Sequence, residues 1–292
     1  MMTNSPHFES NDEFFEMAEN SLIALFAAAR QRNELDYVFA LEPEQRGYQD
    51  ARWSSAGESF LAFDDYQTFL SRPEHLDEDG RSSSIRIRIA LSFYCHLSEA
   101  GGFYEIPKKM LSVASGDKFF RAAFNNINQI HRQTGNRIIP NANAVFRDLT
   151  GHASTLGFDE LSSVFASAFD PDLRNAYSHS NYVLHSEGLR LKNRATNSIR
   201  IITWEDFNQI FNRGVGFFQI MRCVLQDAIA DYESGRTILG QLHDEGIGPI
   251  VITFHRPENC LVISGMNDYW RWVIDTREIF ADKRLLETDN TR

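Results

Sequence analysis

From Asp170 to Tyr182 the chain reads Asp-Pro-Asp-Leu-Arg-Asn-Ala-Tyr-Ser-His-Ser-Asn-Tyr. This run sets a guanidinium, an amide and an imidazole behind a helix-start signal. Asp170 can accept from the open N–H groups of a first turn, and Pro171 suits the first helical position. Arg174 and Asn175 then fall near that turn, where the backbone N–H groups and the helix dipole favour an anion such as phosphate. At about 100° per residue, Asn175, His179 and Tyr182 stand at i, i+4 and i+7 along one helix face. Arg174 and His179 are instead roughly 140° apart around the axis. They meet if the long arginine wraps round, or if a second copy of the helix packs across a twofold axis. The chemistry on offer is acid–base work on a bound phosphate. Histidine titrates near ~6.5 and can give or take a proton near neutrality, while arginine supplies a fixed cation.

Leu173-Arg-Asn-Ala-Tyr-Ser-His-Ser-Asn-Tyr182 resembles the signature of the HEPN superfamily, an Arg followed by a polar residue and then by a His four to six positions beyond the Arg. Arg147 and His152 have the same bare spacing, but Asp148 follows the Arg and Gly151 precedes the His, so Arg174 and His179 carry the resemblance. The resemblance covers roughly residues 81–234. It implies an α-helical bundle that dimerises and, in many members, a metal-independent endoribonuclease; many prokaryotic members act in toxin–antitoxin or anti-phage systems. Such a reaction needs no cofactor. The ribose 2′-OH attacks the neighbouring phosphorus and the bond to O5′ breaks, leaving a 2′,3′-cyclic phosphate and a 5′-OH. His179 is expected as general acid or base, Arg174 as the phosphate clamp, and Asn175 as the group orienting either. Tyr182 is expected to stack a base or buttress the ring. A homodimer with a composite site would supply two histidines and two arginines, and an antitoxin or defence partner would fit the class. In the toxin branch where a Tyr two residues after the His is modified, that position corresponds to Asn181 here. The alternative is a non-catalytic HEPN module that binds nucleotide or dimerises within a larger complex.

The rest of the composition narrows the classes. The chain has 292 residues with 40 Asp and Glu against 29 Lys and Arg, a net charge of -11. That balance argues against a broad basic surface for duplex DNA, while leaving room for a local positive pocket that takes RNA. No apolar run approaches the ~20 residues of a membrane span, and no basic segment with an apolar core opens the chain, so a cytoplasmic protein is expected. Cys95, Cys223 and Cys260 are scattered and do not suggest a disulfide framework. The nine histidines form no His-Glu-x-x-His pattern, and no metal site is expected. His255 and Cys260 alone could approach across a hairpin. Phosphate-loop, dinucleotide and serine-elbow motifs are absent.

The fold class expected is mainly α: a HEPN-like bundle with an inserted β-hairpin and a small C-terminal ββα appendage. Residues 1–80 read as an N-terminal helical extension, 81–234 as the HEPN-like domain and 235–292 as the appendage. Apolar periodicity predicts helices over 12–32, 58–71, 81–100, 106–113, 117–134, 141–150 and 159–168, then the motif helix. The period next shifts to two, giving a hairpin over 183–191 that turns at Ser-Glu-Gly, with further strand residues at 198–202. Thr203 and Asp206 resemble a capping box opening the longest helix, 204–233. Gly214 and Gly216 within it suggest close packing. Two strands around Arg256-Pro-Glu-Asn259 and a helix over 267–286 are expected in the tail.

Overall fold

The computed structural model describes residues 8–42, 55–70, 80–118, 123–138, 140–193, 197–241, 246–265, 271–276 and 279–280. In chain order these form α1 (Asn11–Arg32), α2 (Glu34–Ala40), α3 (Ser55–Leu70), α4 (Gly80–Ser98) and α5 (Gly101–Ser115). A 3-10 turn and the short pair β1 (Gln129–Ile130) and β2 (Arg137–Ile138) follow. Next come α6 (Ala142–Thr155), α7 (Asp159–Ala168), α8 (Pro171–Ser178), β3 (Tyr182–His185), β4 (Gly188–Lys192), β5 (Ile199–Thr203) and α9 (Trp204–Ala230). The chain closes with β6 (Arg236–Gly240), β7 (Gly248–His255), β8 (Cys260–Gly265) and β9 (Arg271–Asp275). The protein is thus mainly helical, with small antiparallel sheets. No helix among the described residues is long and apolar enough to cross a membrane.

Two compact units divide the chain, one comprising Met1–Ser21, Ala62–Gly101 and Phe124–Ile220, the other Leu22–Leu61, Gly102–Ala123 and Met221–Arg292. The first unit carries the motif helix. Its core is aromatic: Phe217 is fully buried, with the rings of Phe165, Phe146 and Phe169 at 6.1, 6.2 and 6.4 Å. A Cβ on Gly214 would come within 2.9 Å of both Phe169 and Tyr94, and one on Gly216 would collide with Phe15. The two glycines of α9 are therefore what lets these rings pack against the helix backbone. In the second unit the order β6-β7-β8-β9 forms an antiparallel meander whose buried residues include Ile252, Phe254, Leu261 and Ile263.

The hairpin is as the sequence predicts, with Tyr182 opposite Leu191 and His185 opposite Gly188, and β5 adds a third strand against β4. Leu189, Leu191 and Ile202 are buried, whereas Val183, Ile199 and Ile201 are exposed. Gly188 sits at φ +150, and an added Cβ would overlap the Ile202 carbonyl oxygen. Gly188→Ala is expected to destabilise the protein by about 1–3 kcal/mol. The check is the denaturation midpoint, with amide exchange accelerating first in β4 and β5.

Several sequence expectations change. The predicted helix over 267–286 gives way to a strand: Arg271–Asp275 pairs with β8, and Trp272, Val273 and Ile274 are good strand formers. Ile274 is 1% exposed and Val273 50%, an alternation that a helix-period reading overlooks. The C-terminal region is therefore built on a four-stranded sheet, and no ββα appendage is seen among the described residues; residues 267–270, 277–278 and 281–286 of the expected helix lie outside them. The helix expected over 117–134 is absent from its described part, which holds turns, the 3-10 element and β1. The Asn-rich run 125–128 disfavours helix there. α2 escaped the periodicity; Asn33 caps it, its side chain accepting from the Leu35 and Asp36 N–H groups.

Candidate functional site

The start of α8 is fixed from several sides. The Asp170 side chain accepts from the Leu173 N–H at 2.8 Å, and the Asp170 N–H donates to the Tyr94 hydroxyl at 2.6 Å. Tyr94 is fully buried, and burial, reinforced by the nearby Asp170 charge, pushes its hydroxyl well above the ordinary phenol value. Arg200 on β5 reaches Asp170 at 2.8 Å and Asp172 at 3.1 Å. Partial burial pulls the Arg200 guanidinium down, but these two carboxylates outweigh it and hold it above its usual value. On α4, the Cys95 thiol donates to the Arg174 carbonyl at 3.7 Å.

The end of α8 corrects the sequence geometry. The helix stops at Ser178, His179 is its C-cap, and Ser180 takes a left-handed φ of 52. The Asn181 N–H then donates to the Ala176 carbonyl at 2.7 Å and the Ser180 N–H to the Tyr177 carbonyl at 3.0 Å, a Schellman closure made without glycine. Ser-His-Ser-Asn competes for backbone hydrogen bonds rather than extending the helix. Asn175 and His179 remain one turn apart. Tyr182, expected on the same helix face, lies instead at the start of β3, with its ring 5.7 Å from that of Tyr177.

An open cleft of about 550 Å³ lies against this closure, and Asn175, His179, Asn181, Lys192 and Arg200 are among its lining residues. His179 is exposed, Asn175 half-buried, and Ser198 and Asp172 complete the polar rim. The arrangement puts an imidazole, an ammonium, a guanidinium and several amides around one opening, which suits a phosphate ester with hydrogen-bonding groups beside it.

Arg174 and Tyr182 do not line this cleft. The Arg174 guanidinium pairs with Glu99, donates to Asn175 Oδ1 at 2.8 Å, and leaves its buried Nε without an acceptor. Glu99 also accepts from the Ala142 N–H at 3.2 Å, at the start of α6. Arg174 thus reaches the cleft only through Asn175. The two cations beside His179, Lys192 and Arg200, were missed by the motif. One signal for Arg200 was present: it occupies the strand face of buried Ile202, where alternation calls for an apolar residue. His185 lies apart, 3.8 Å from Glu187 and 3.4 Å from Arg190. His255 and Cys260 do pair in the tail hairpin, and no three metal-ligating side chains cluster among the described residues.

Cys95, beneath α8, carries a second prediction. Burial pushes its thiol up to about 11, with Ser178 and Arg174 partly opposing this. A raised acid favours the neutral folded form, so this stability is complete below the unfolded value near ~8.5 and is lost as pH rises through the folded one. Thiol labelling of the native protein is expected to modify exposed Cys223 at about pH 8 and Cys95 only as pH approaches about 11. Equal labelling at the lower pH would contradict the packing of α8 on α4.

Comparison with protein-family models, curated proteins and solved structures finds no match, so the functional reading rests on the residues of this cleft.

Proposed function

We propose that the protein is a metal-independent endoribonuclease of HEPN type, acting as a toxin or anti-phage effector, and that RNA is bound and cut in the cleft of His179. The observation that supports this is the convergence of His179 with Lys192 and Arg200 around one opening beside the motif helix. His179 removes the proton of the ribose 2′-OH, O2′ bonds to phosphorus, and the phosphorane charge falls beside Lys192 and Arg200. The P–O5′ bond breaks, and O5′ takes its proton from a second acid. In a homodimer with a composite site, the same histidine of a second copy supplies that acid. Arg174 acts here as a positioning residue, holding Asn175 from behind, rather than as the phosphate clamp the motif suggests.

One observation favours the second reading, a non-catalytic HEPN module that binds nucleotide or dimerises. Arg174, the cation of the signature, is engaged by Glu99. The experiment is cleavage of end-labelled RNA by purified protein in excess EDTA, with end-group analysis of the products. Cyclic-phosphate and 5′-OH ends support the nuclease. Saturable RNA or nucleotide binding without any cutting, with candidate activating partners added, selects the binding module.

A further inference from the structure

The second unit contains a cavity of about 510 Å³ whose lining is of two characters. Apolar side chains come from Ile23, Phe26 and Ala27 of α1 and from Val224 and Ala228 of α9. Charged side chains come from Arg30, Glu34, Asp227, Asp231 and Arg236. Arg30 lies seven positions beyond Ile23, and Asp231 seven beyond Val224, about 10 Å of helical rise in each case. The Arg30–Asp231 ion pair at 2.7 Å ties two of the charged side chains together.

The charged side chains offer both signs. Glu34 Oε1 accepts from Arg30 Nε at 3.0 Å and the Tyr232 hydroxyl at 3.0 Å, and it forms an ion pair with Arg236 Nε at 2.8 Å. This holds both guanidiniums through Nε and leaves the terminal nitrogens of Arg236 unengaged among the described residues. Asp227, one turn before Asp231, makes no ion pair among them either. A simple anion meets three carboxylates here and a simple cation meets two guanidiniums. A ligand carrying both charges meets one open partner for each, and Ile23, half exposed, extends an apolar wall beside them.

We propose that this cavity binds a free α-amino acid with an apolar side chain. Its carboxylate takes the paired terminal N–H groups of Arg236, the geometry in which arginine holds carboxylates best. Its ammonium faces Asp227, and its side chain lies between Ile23, Phe26 and Val224. The volume is within the range of small-molecule sites.

The test is titration calorimetry of the full chain with L-phenylalanine, L-leucine and L-methionine. The control ligands are phenylalanine amide, which lacks the carboxylate, and 3-phenylpropionate, which lacks the ammonium. Saturable binding of at least one amino acid is expected. Losing either charge from the ligand, or substituting Arg236→Gln or Asp227→Asn, is expected to weaken it by about tenfold or more. Both substituted side chains are exposed enough for the variants to fold, which circular dichroism checks. No saturable heat from any of the three up to about 20 mM would overturn the proposal. So would equal binding of the singly charged analogues, or affinities unchanged in both variants. None of these outcomes depends on the RNA-cleavage reading.

Discussion

His179→Ala is expected to reduce EDTA-resistant RNA cleavage by about 10²–10⁴-fold, the usual contribution of a positioned general acid or base. The thermal midpoint should barely move, because His179 is an exposed C-cap and surface substitutions typically change stability by about 0.5 kcal/mol or less. A rate loss without a stability loss separates proton transfer from folding. Lys192→Ala should behave differently. As a phosphate contact it would weaken RNA binding evenly across sequences and lower the salt slope by about 1. Arg200→Gln combines two effects, because Arg200 lines the cleft and also ties Asp170 and Asp172. Arg174→Ala is expected to slow cleavage by disturbing Asn175. Arg174→Lys keeps the charge beside Glu99 but lacks the planar fork, so it should restore folding better than rate. If His179→Ala cuts as well as wild type, the cleft is not the catalytic centre; if every variant binds RNA and none cuts, the binding module stands.

Local chemistry made much of the site legible in the sequence. Asp170-Pro171 marked the start of α8, Ser-Glu-Gly the hairpin turn, and Thr203 the start of α9, where its hydroxyl accepts the Asp206 N–H at 3.1 Å. Each of these signals acts within four residues. What escaped depends on partners far away in the chain. Nothing near Arg174 in sequence announces that Glu99, 75 positions earlier, will engage its guanidinium. Arg200 joins the cleft only because the register of β4 and β5 sets it opposite Leu191. The end of α8 failed for a subtler reason. Tyr182 continued the helical spacing of Asn175 and His179, but the Schellman closure at Ser180 turned the chain into β3 before that spacing could be used. In the tail, Trp-Val-Ile fitted both periods over so short a run, and pairing with β8 decided the outcome.

Phe217→Ala is expected to cost about 3–5 kcal/mol, the usual range for deleting a fully buried Phe side chain. Phe217 has no exposed surface, and the rings of Phe146, Phe165 and Phe169 face it within the first unit. Those rings sit on α6, on α7 and just beyond it, so no single side-chain rotation can refill the space. The thermal midpoint should fall by on the order of 10 °C. Phe217→Leu, which retains most of the apolar volume, should recover part of that loss. The cavity should also be felt at the site. Phe169 stands between Phe217 and Tyr94, 6.4 Å from the first ring and 5.4 Å from the second, and Tyr94 holds the Asp170 N–H that opens α8. Loosening Phe169 therefore loosens the helix start before the unit unfolds. Amide exchange at Asp170 and Leu173 should quicken in Phe217→Ala more than exchange in the β6–β9 sheet, whose core is built from other residues. Uniform acceleration across both regions would mean that the aromatic cluster stabilises the chain globally and does not specifically position α8.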